Sequence, residues 1–140
     1  MEMPLRIAVI DGQGGGIGAA IVKRLRDELQ EGVEIIALGT NSTATSAMMK
    51  ARANKGATGE NAIARTTQEV DVIAGPVSII MANSMLGELT PKMAKAIAGS
   101  QAIKILIPMS QERLEVIGVA KEPLLHYVEG LIKRIKEMAR

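Results

Sequence analysis

Cysteine, phenylalanine and tryptophan are absent from this sequence of 140 residues, and tyrosine and histidine occur once each. Without cysteine, the chain can form no disulfide, no thiolate metal site and no cysteine nucleophile. With a single aromatic side chain, it has almost nothing on which nucleic-acid bases could stack. The net charge of +2 is also small, so the composition predicts no nucleic-acid partner.

The sequence also lacks a membrane-spanning run and a secretion signal. Residues 72–87 are uncharged, but they contain Gly, Pro, Asn and Ser and are too few to cross a bilayer. The first residues, MEMPLRIAVIDG, place no basic region ahead of an apolar stretch. We therefore expect a cytoplasmic protein with no membrane partner. An apolar content of 47% over 140 residues predicts one domain, residues 1–140, with one substantial core.

Short apolar runs rich in β-branched residues alternate along the chain with segments of helical periodicity. The runs predict strands at residues 6–11, 33–39, 55–59, 70–75, 103–109 and 114–119. The periodic segments predict helices at residues 17–31, 44–53, 60–68, 77–98 with an interruption near 87–91, and from Pro123 onward. This alternation predicts a Rossmann-like, doubly wound α/β fold, with a mostly parallel sheet of about 5–6 strands and helices on both faces. The strand at 114–119 is expected to pair antiparallel at the sheet edge.

The stretch IDGQGGGIG, residues 10–18, holds five glycines between the first strand and the first helix. Ordering five glycines costs roughly 2–5 kcal/mol more than ordering alanines, so the backbone there must do something that side chains would block. Glycines in this context let backbone N–H groups and a helix N-terminus approach a phosphate. The alternative is a structural turn that packs the helix tightly on the strand. The predicted phosphate loop consists of Asp11, Gly12, Gln13, Gly14, Gly15, Gly16, Ile17 and Gly18.

Polar turns also follow the other predicted strands, and the carboxyl ends of parallel strands meet at one edge of a sheet, where ligands bind. The predicted cofactor-binding residues at these turns are Thr40, Asn41, Ser42, Thr58, Gly59, Glu60, Asn61, Gly75, Pro76 and Ser78. Asn83 and Ser84 lie farther along, and Ser110 and Gln111 follow the fifth strand. The second strand ends without the acidic residue that binds ribose in NAD sites. Thr40, Asn41 and Ser42 are instead expected to meet the ribose or a second phosphate, with NAD and NADP as the cofactors considered.

The loop from Asp11 and Gly12 to Gly16-Ile17-Gly18 resembles the TGxxxGIG signature of short-chain dehydrogenases, and AAIVKRL resembles their first helix. The chain departs from that family at three points. Asp11 stands where the family has Thr, Gly75-Pro76-Val77-Ser78 stands where it has Asn-Asn-Ala-Gly, and no Tyr-x-x-x-Lys is present, because Leu131 follows Tyr127 at that spacing. Asp11 beside a diphosphate would repel it, so Asp11 is expected to accept backbone N–H bonds within the loop. Binding of a metal or ammonium group is the alternative.

The whole chain resembles a bacterial family of short, uncharacterised Rossmann-like proteins, a domain of unknown function. The stretches that carry this resemblance are IDGQGGGIG, EIIALGTN, GATGENAI, ANSMLGELTPKMAKAI and KILIPM. The resemblance implies a nucleotide-binding type of fold and brings no established activity.

Three functions remain open from the sequence: a nucleotide or dinucleotide binder that includes an oxidoreductase as one form, a non-catalytic ligand-sensing or assembly subunit, and an enzyme acting on a small phosphorylated metabolite. The catalytic residues are unknown, with Asp11 and Glu60 as candidates for acid–base work. His126 is expected at the surface, and one histidine without cysteine predicts no metal site. Residues 72–87 are expected either to belong to the core or to form the interface of a homodimer or higher homo-oligomer.

Overall fold

The computed structural model describes residues 4–109 and 112–139 as one α/β arrangement. The strands in these residues are β1 (Leu5–Asp11), β2 (Val33–Gly39), β3 (Lys55–Thr58), β4 (Val72–Pro76) and β5 (Ile103–Ile107). The α-helices are α1 (Gly16–Leu29), α2 (Ser42–Lys50), α3 (Glu60–Thr66), α4 (Pro91–Ala98) and α5 (Leu124–Met138), and short 3₁₀ helices cover Gln30–Gly32 and Val77–Ile80.

The five strands form one sheet in the order β3-β2-β1-β4-β5, and every pairing is parallel. This is the order of the first five strands of the dinucleotide-binding arrangement. The β1–β2 pairing is the longest, running from Leu5 opposite Val33 to Asp11 opposite Gly39. The predicted Rossmann-like sheet is therefore confirmed.

Helices cover both faces of the sheet, and successive strand residues alternate between them. Ile7 and Val9 pack with α1, α2 and α5 on one face, whereas Ala8 and Ile10 pack with α3 and α4 on the other. All four side chains are fully buried. The central strands therefore contribute to two cores, which is why their sequences are apolar at every position.

Two helices begin at residues whose side chains cap them. The side-chain oxygen of Asn41 accepts a hydrogen bond from the Ala44 N–H, and Thr90 Oγ1 accepts one from the Met93 N–H. Pro91 follows Thr90 as the first residue of α4, where its missing N–H costs nothing. Proline also fixes the start of α5, but Pro123 is the residue before the helix and not its first residue.

The predicted strand at 114–119 is wrong, because no residue of 112–123 belongs to the sheet and β5 pairs only with β4 in the described structure. Two local features explain the failure. The Val119 N–H donates to the Val116 carbonyl in a turn, and Gly118 lies in the left-handed region with φ of 91°. The segment folds back on itself and stays exposed.

The predicted helix at 77–98 is present only at its two ends, as the 3₁₀ turn Val77–Ile80 and α4. The intervening β4–α4 loop, residues 81–90, contains four residues with positive φ: Asn83, Met85, Leu86 and Gly87. These dihedrals are incompatible with a right-handed helix. The predicted interruption near 87–91 therefore extends over the whole loop.

Candidate functional site

A cleft of about 450 Å³ opens at the carboxyl edge of the sheet, between the loops that follow β1 and β4. The chain leaves β1 toward α1 on one face and leaves β4 toward α4 on the other. The cleft therefore lies at the topological switch point, where ligands bind in open α/β sheets. Its lining consists of Asp11, Gln13, Ile17, Pro76, Ser78, Asn83, Met85, Leu86, Met109 and Glu112.

At three glycines of the β1–α1 loop, neighbouring atoms lie too close to the backbone for a side chain to fit. A Cβ on Gly12 would lie 2.5 Å from Thr40 Oγ1, and a Cβ on Gly18 would lie 2.9 Å from Asp11 Cβ. Gly15 has a φ of 74°, and its Cβ would lie 2.8 Å from the Ala44 Cα. Packing and backbone geometry thus account for these three positions.

Gly14 and Gly16 differ from the other three, because a Cβ on either would meet nothing within 4 Å. Both residues are exposed. They lie between Gln13 and Ile17, which line the cleft. Their backbone N–H groups have no acceptor within the described part of the chain. Gly14 and Gly16 are therefore the glycines of the loop whose backbone N–H groups are accessible to a ligand.

The Asp11 carboxylate closes the loop from inside, as the sequence predicted. Its Oδ1 accepts the Gly12 N–H at 2.8 Å, and its Oδ2 accepts the Gly18 N–H at 2.7 Å. Burial raises the pKa of Asp11 against these two hydrogen bonds, which lower it, and the nearby Glu88 charge raises it further. Asp11 thus satisfies an N–H at the start of α1 that a ligand could otherwise use.

A second carboxylate, Glu88 of the β4–α4 loop, joins the loops that follow β1 and β2. Its Oε1 accepts hydrogen bonds from the Gln13 N–H at 2.9 Å, Thr40 Oγ1 at 2.7 Å and Asn41 Nδ2 at 2.8 Å. The Gln13 N–H bond, followed by those from Thr40 and Asn41, holds the pKa of Glu88 below its ordinary value against the cost of partial burial. Glu88 is therefore an ionised acceptor fixed at the carboxyl end of β2.

The structure divides the predicted site residues into two groups. Asp11, Gln13, Ile17, Pro76 and Ser78 line the cleft, while Thr40 and Asn41 reach the same edge through Glu88. The cleft lining does not include Ser42, Thr58, Gly59, Glu60, Asn61 or Gly75. Ser110 and Gln111 lie outside the described residues.

Local contacts account for several of the residues away from the cleft. Ser42 is the first residue of α2, and Thr58 shares a 2.7 Å hydrogen bond with Thr45. Glu60 Oε2 accepts the Thr90 hydroxyl at 2.6 Å, which ties α3 to α4. Gly75 lacks a side chain because its Cβ would lie 2.3 Å from the Ile10 carbonyl oxygen of β1. Of the two acid–base candidates, only Asp11 is at the cleft.

The sequence placed Asn83 of the β4–α4 loop at this edge, and Asn83 lines the cleft, but the sequence did not predict the contribution of the rest of this loop. Met85, Leu86, Met109 and Glu112 also line the cleft, and the Glu88 carboxylate accepts a hydrogen bond from the Gln13 N–H. The polar residues and Gly87 of the stretch NSMLGE were a signal that this segment was a loop. Nothing in its sequence indicated that the loop returns to Thr40.

No group of three or more His, Asp or Glu side chains suited to a metal ion occurs within residues 4–109 and 112–139. His126 is exposed on α5, as expected, with its Nδ1 3.8 Å from Glu122. Among the described helices, none has the length and apolar content needed to cross a bilayer.

The chain belongs to the family described as Domain of unknown function (DUF3842), whose model matches residues 6–140. The predicted membership of a family of unknown function with a Rossmann-like fold is confirmed at this level. No curated protein matches the sequence.

Among solved structures, the chain is similar to a dodecameric, FMN-dependent UbiX-like decarboxylase from Escherichia coli O157:H7. The two share 13% sequence identity at a TM-score of 0.41, over 95% of this chain and 92% of the decarboxylase chain.

Proposed function

We propose that this protein binds a ribonucleotide or a dinucleotide in the switch-point cleft, with a phosphate on the backbone N–H groups of Gly14 and Gly16. The observation that carries the proposal is the combination of an open glycine backbone with a cleft at the position where α/β sheets bind ligands. The volume of about 450 Å³ is within the range of small-molecule sites.

Among the described residues that line the cleft there is no lysine or arginine, so the phosphate would be held by N–H groups and the positive end of α1. Asp11 lines the cleft, but its carboxylate accepts hydrogen bonds from the Gly12 and Gly18 N–H groups, which limits its repulsion of the ligand. A carboxylate with both oxygens occupied is also poorly suited to proton transfer. Binding without turnover is therefore the form of the proposal that the contacts favour.

Calorimetric titration of the protein with NAD, NADP, FMN, AMP, sugar phosphates and inorganic phosphate tests the proposal. A ligand at 100 times its dissociation constant should also stabilise the fold by about 2.7 kcal/mol, a shift of several degrees in Tm. Recovery of the ligand unchanged would support a sensor, and consumption of a nicotinamide would support an oxidoreductase. The absence of binding to every compound in a folded sample would contradict the proposal.

Glycine variants locate the phosphate. Gly14→Val and Gly16→Val should weaken nucleotide binding roughly tenfold or more, because the added side chain would hold the phosphate away from the backbone N–H groups, and a hydrogen bond to a charged group contributes about 1.5–3 kcal/mol. Gly32→Val is the matched control, because a Cβ at Gly32 also meets nothing within 4 Å and Gly32 precedes β2 at the opposite edge of the sheet. Equal affinities in the three folded variants would contradict a phosphate at the loop.

A further inference from the structure

NAD-binding sites of this fold place an acidic residue at the end of the second strand, where it accepts hydrogen bonds from the ribose hydroxyls. In this chain β2 ends at Gly39 and continues into Thr40 and Asn41, without an acid. The structure brings Glu88 to that position from 48 residues beyond Thr40 along the chain. The β4–α4 loop thus places a carboxylate at the end of β2, next to the cleft-lining residue Gln13 and not in the lining itself.

The Glu88 carboxylate is anchored through one oxygen only. Oε1 accepts from the Gln13 N–H, Thr40 Oγ1 and Asn41 Nδ2 at 2.7–2.9 Å. Oε2 accepts no hydrogen bond from the described residues. Glu88 is also only partly buried. Three donors therefore orient the group while its second oxygen keeps its acceptor capacity.

This arrangement is possible because Gly12 has no side chain. A Cβ on Gly12 would lie 2.5 Å from Thr40 Oγ1 and 3.1 Å from Glu88 Oε1. The glycine loop and the Glu88 carboxylate are thus in direct contact, with the open residues Gly14 and Gly16 immediately beyond Gln13.

We propose that Glu88 Oε2 accepts a hydrogen bond from the ribose 2′-hydroxyl of the bound nucleotide, and that its charge excludes a 2′-phosphate. This inference rests on the proposed function and specifies it. The ligand carries a ribose whose 2′-hydroxyl is not phosphorylated, so NAD is favoured over NADP. Thr40 and Asn41 then act as positioning residues for Glu88, and they do not bind a phosphate themselves.

The first test compares AMP with 2′-deoxy-AMP on the unaltered protein by calorimetric titration. We expect AMP to bind about tenfold more tightly, because the deoxy compound lacks the donor to a charged acceptor. Equal affinities would overturn the inference while leaving the proposed function standing. If neither compound binds, and NAD and inorganic phosphate also fail, the proposed function falls and the inference falls with it.

The second test uses Glu88→Gln, with Glu31→Gln as a control that removes the same charge at an exposed residue of the opposite edge. In Glu88→Gln the amide oxygen faces the three donors and the amide NH₂ faces the ribose. The preference for AMP over 2′-deoxy-AMP should therefore shrink. The affinity for NADP relative to NAD should rise about tenfold, because an amide that donates a hydrogen bond to the 2′-phosphate replaces a carboxylate that repels it. Glu31→Gln should change neither ratio.

A competing role for Glu88 is that of an internal anion that blocks the loop donors. In that case Glu88→Gln would bind AMP, 2′-deoxy-AMP and inorganic phosphate more tightly by similar factors, with both ratios unchanged. That result would overturn the inference.

Discussion

At the scale of single residues, the β1–α1 loop contains two kinds of glycine, and it donates hydrogen bonds to two carboxylates in different environments, Asp11 of β1 and Glu88 of the β4–α4 loop. Gly12, Gly15 and Gly18 are fixed by close neighbours, while Gly14 and Gly16 face open space. Asp11 is buried with a raised pKa, and Glu88 is partly buried with a lowered one. Close packing therefore explains three of the five glycines of the loop, and the other two leave the backbone open to solvent.

The raised pKa of Asp11 predicts a pH-dependent contribution to stability. Between its ordinary value of 3.8 and the raised value, the folded state binds more protons than the unfolded state. The contribution of Asp11 to the free energy of unfolding is therefore full below 3.8 and is lost as the pH rises through the folded pKa. The measurement is urea denaturation of the protein and of Asp11→Asn between about pH 4 and pH 8.

The free energy of unfolding of the protein, minus that of Asp11→Asn, should fall with rising pH and then become flat. Acidic groups with lowered pKa values contribute to the free energy of unfolding with the opposite pH dependence. Their contributions are the same in both proteins and cancel in this difference. A difference that grows with pH would mean that the hydrogen bonds from Gly12 and Gly18 outweigh burial.

At the scale of elements, Arg26 holds together the amino-terminal edge of the sheet. The side chain, only 6% exposed, donates to the carbonyls of Arg52 at 3.0 Å and Val33 at 3.4 Å, and to that of Gln30. It also donates to Asn54 Oδ1 at 2.6 Å, and that oxygen accepts the Ile35 N–H at 2.7 Å. One guanidinium thus connects the end of α1 with the start of β2 and the segment before β3.

Replacing Arg26 should destabilise the fold without touching the cleft. Arg26→Met is expected to lower the free energy of unfolding by about 3 kcal/mol, because each buried acceptor left without a donor costs about 1–3 kcal/mol. The measurement is urea denaturation.

Arg24→Met is the matched control for Arg26→Met. Arg24 joins α1 to Glu129 of α5 at 2.6 Å, but the Arg24 side chain is 29% exposed and that of Glu129 is 52% exposed, so water and salt reach the pair. Exposed ion pairs contribute little and are screened by salt. Equal losses in the two variants would contradict the assigned role of Arg26.

At the scale of the whole molecule, most of the uncharged segment 72–87 lies in the core or at the cleft. β4 and Ile79 are buried, whereas Leu86, which lies at the cleft, is 98% exposed. A second apolar surface is formed by residues 114–119, where Ile117 is 94% exposed. Contiguous exposed apolar patches, unlike single exposed side chains, are typical of interaction sites. We propose that the chain, as a single domain, forms a homodimer or a larger homo-oligomer.

Native mass spectrometry at micromolar concentration tests this proposal. We expect a dimer or larger species, and we expect either Leu86→Asp or Ile117→Asp to return the protein to the monomer, because burying an unpaired charge opposes association. The variant that does so identifies the interface. Circular dichroism confirms that each variant is folded. A monomer alone in the unaltered protein would contradict the proposal.

The sequence by itself determined the α/β fold class, five of the six predicted strands and the inward turn of Asp11. These features depend on short-range patterns: apolar runs covered on both faces, helical periodicity, and a carboxylate next to the N–H groups of its own loop. The assignment of residues 1–140 to one domain and the cofactor-binding role of the predicted residues stay predictions.

Only the tertiary structure decided which glycines are required, which carboxylate stands at the end of β2, and whether residues 114–119 join the sheet. Each depends on atoms distant in sequence: Met48 beside Gly18, Glu88 beside Thr40. An apolar run such as LEVIGV carries its strand propensity locally, but a strand exists only where a neighbouring strand accepts its hydrogen bonds. In this chain the edge of β5 does not pair with that segment, and the turn from Val116 to Val119 takes its place.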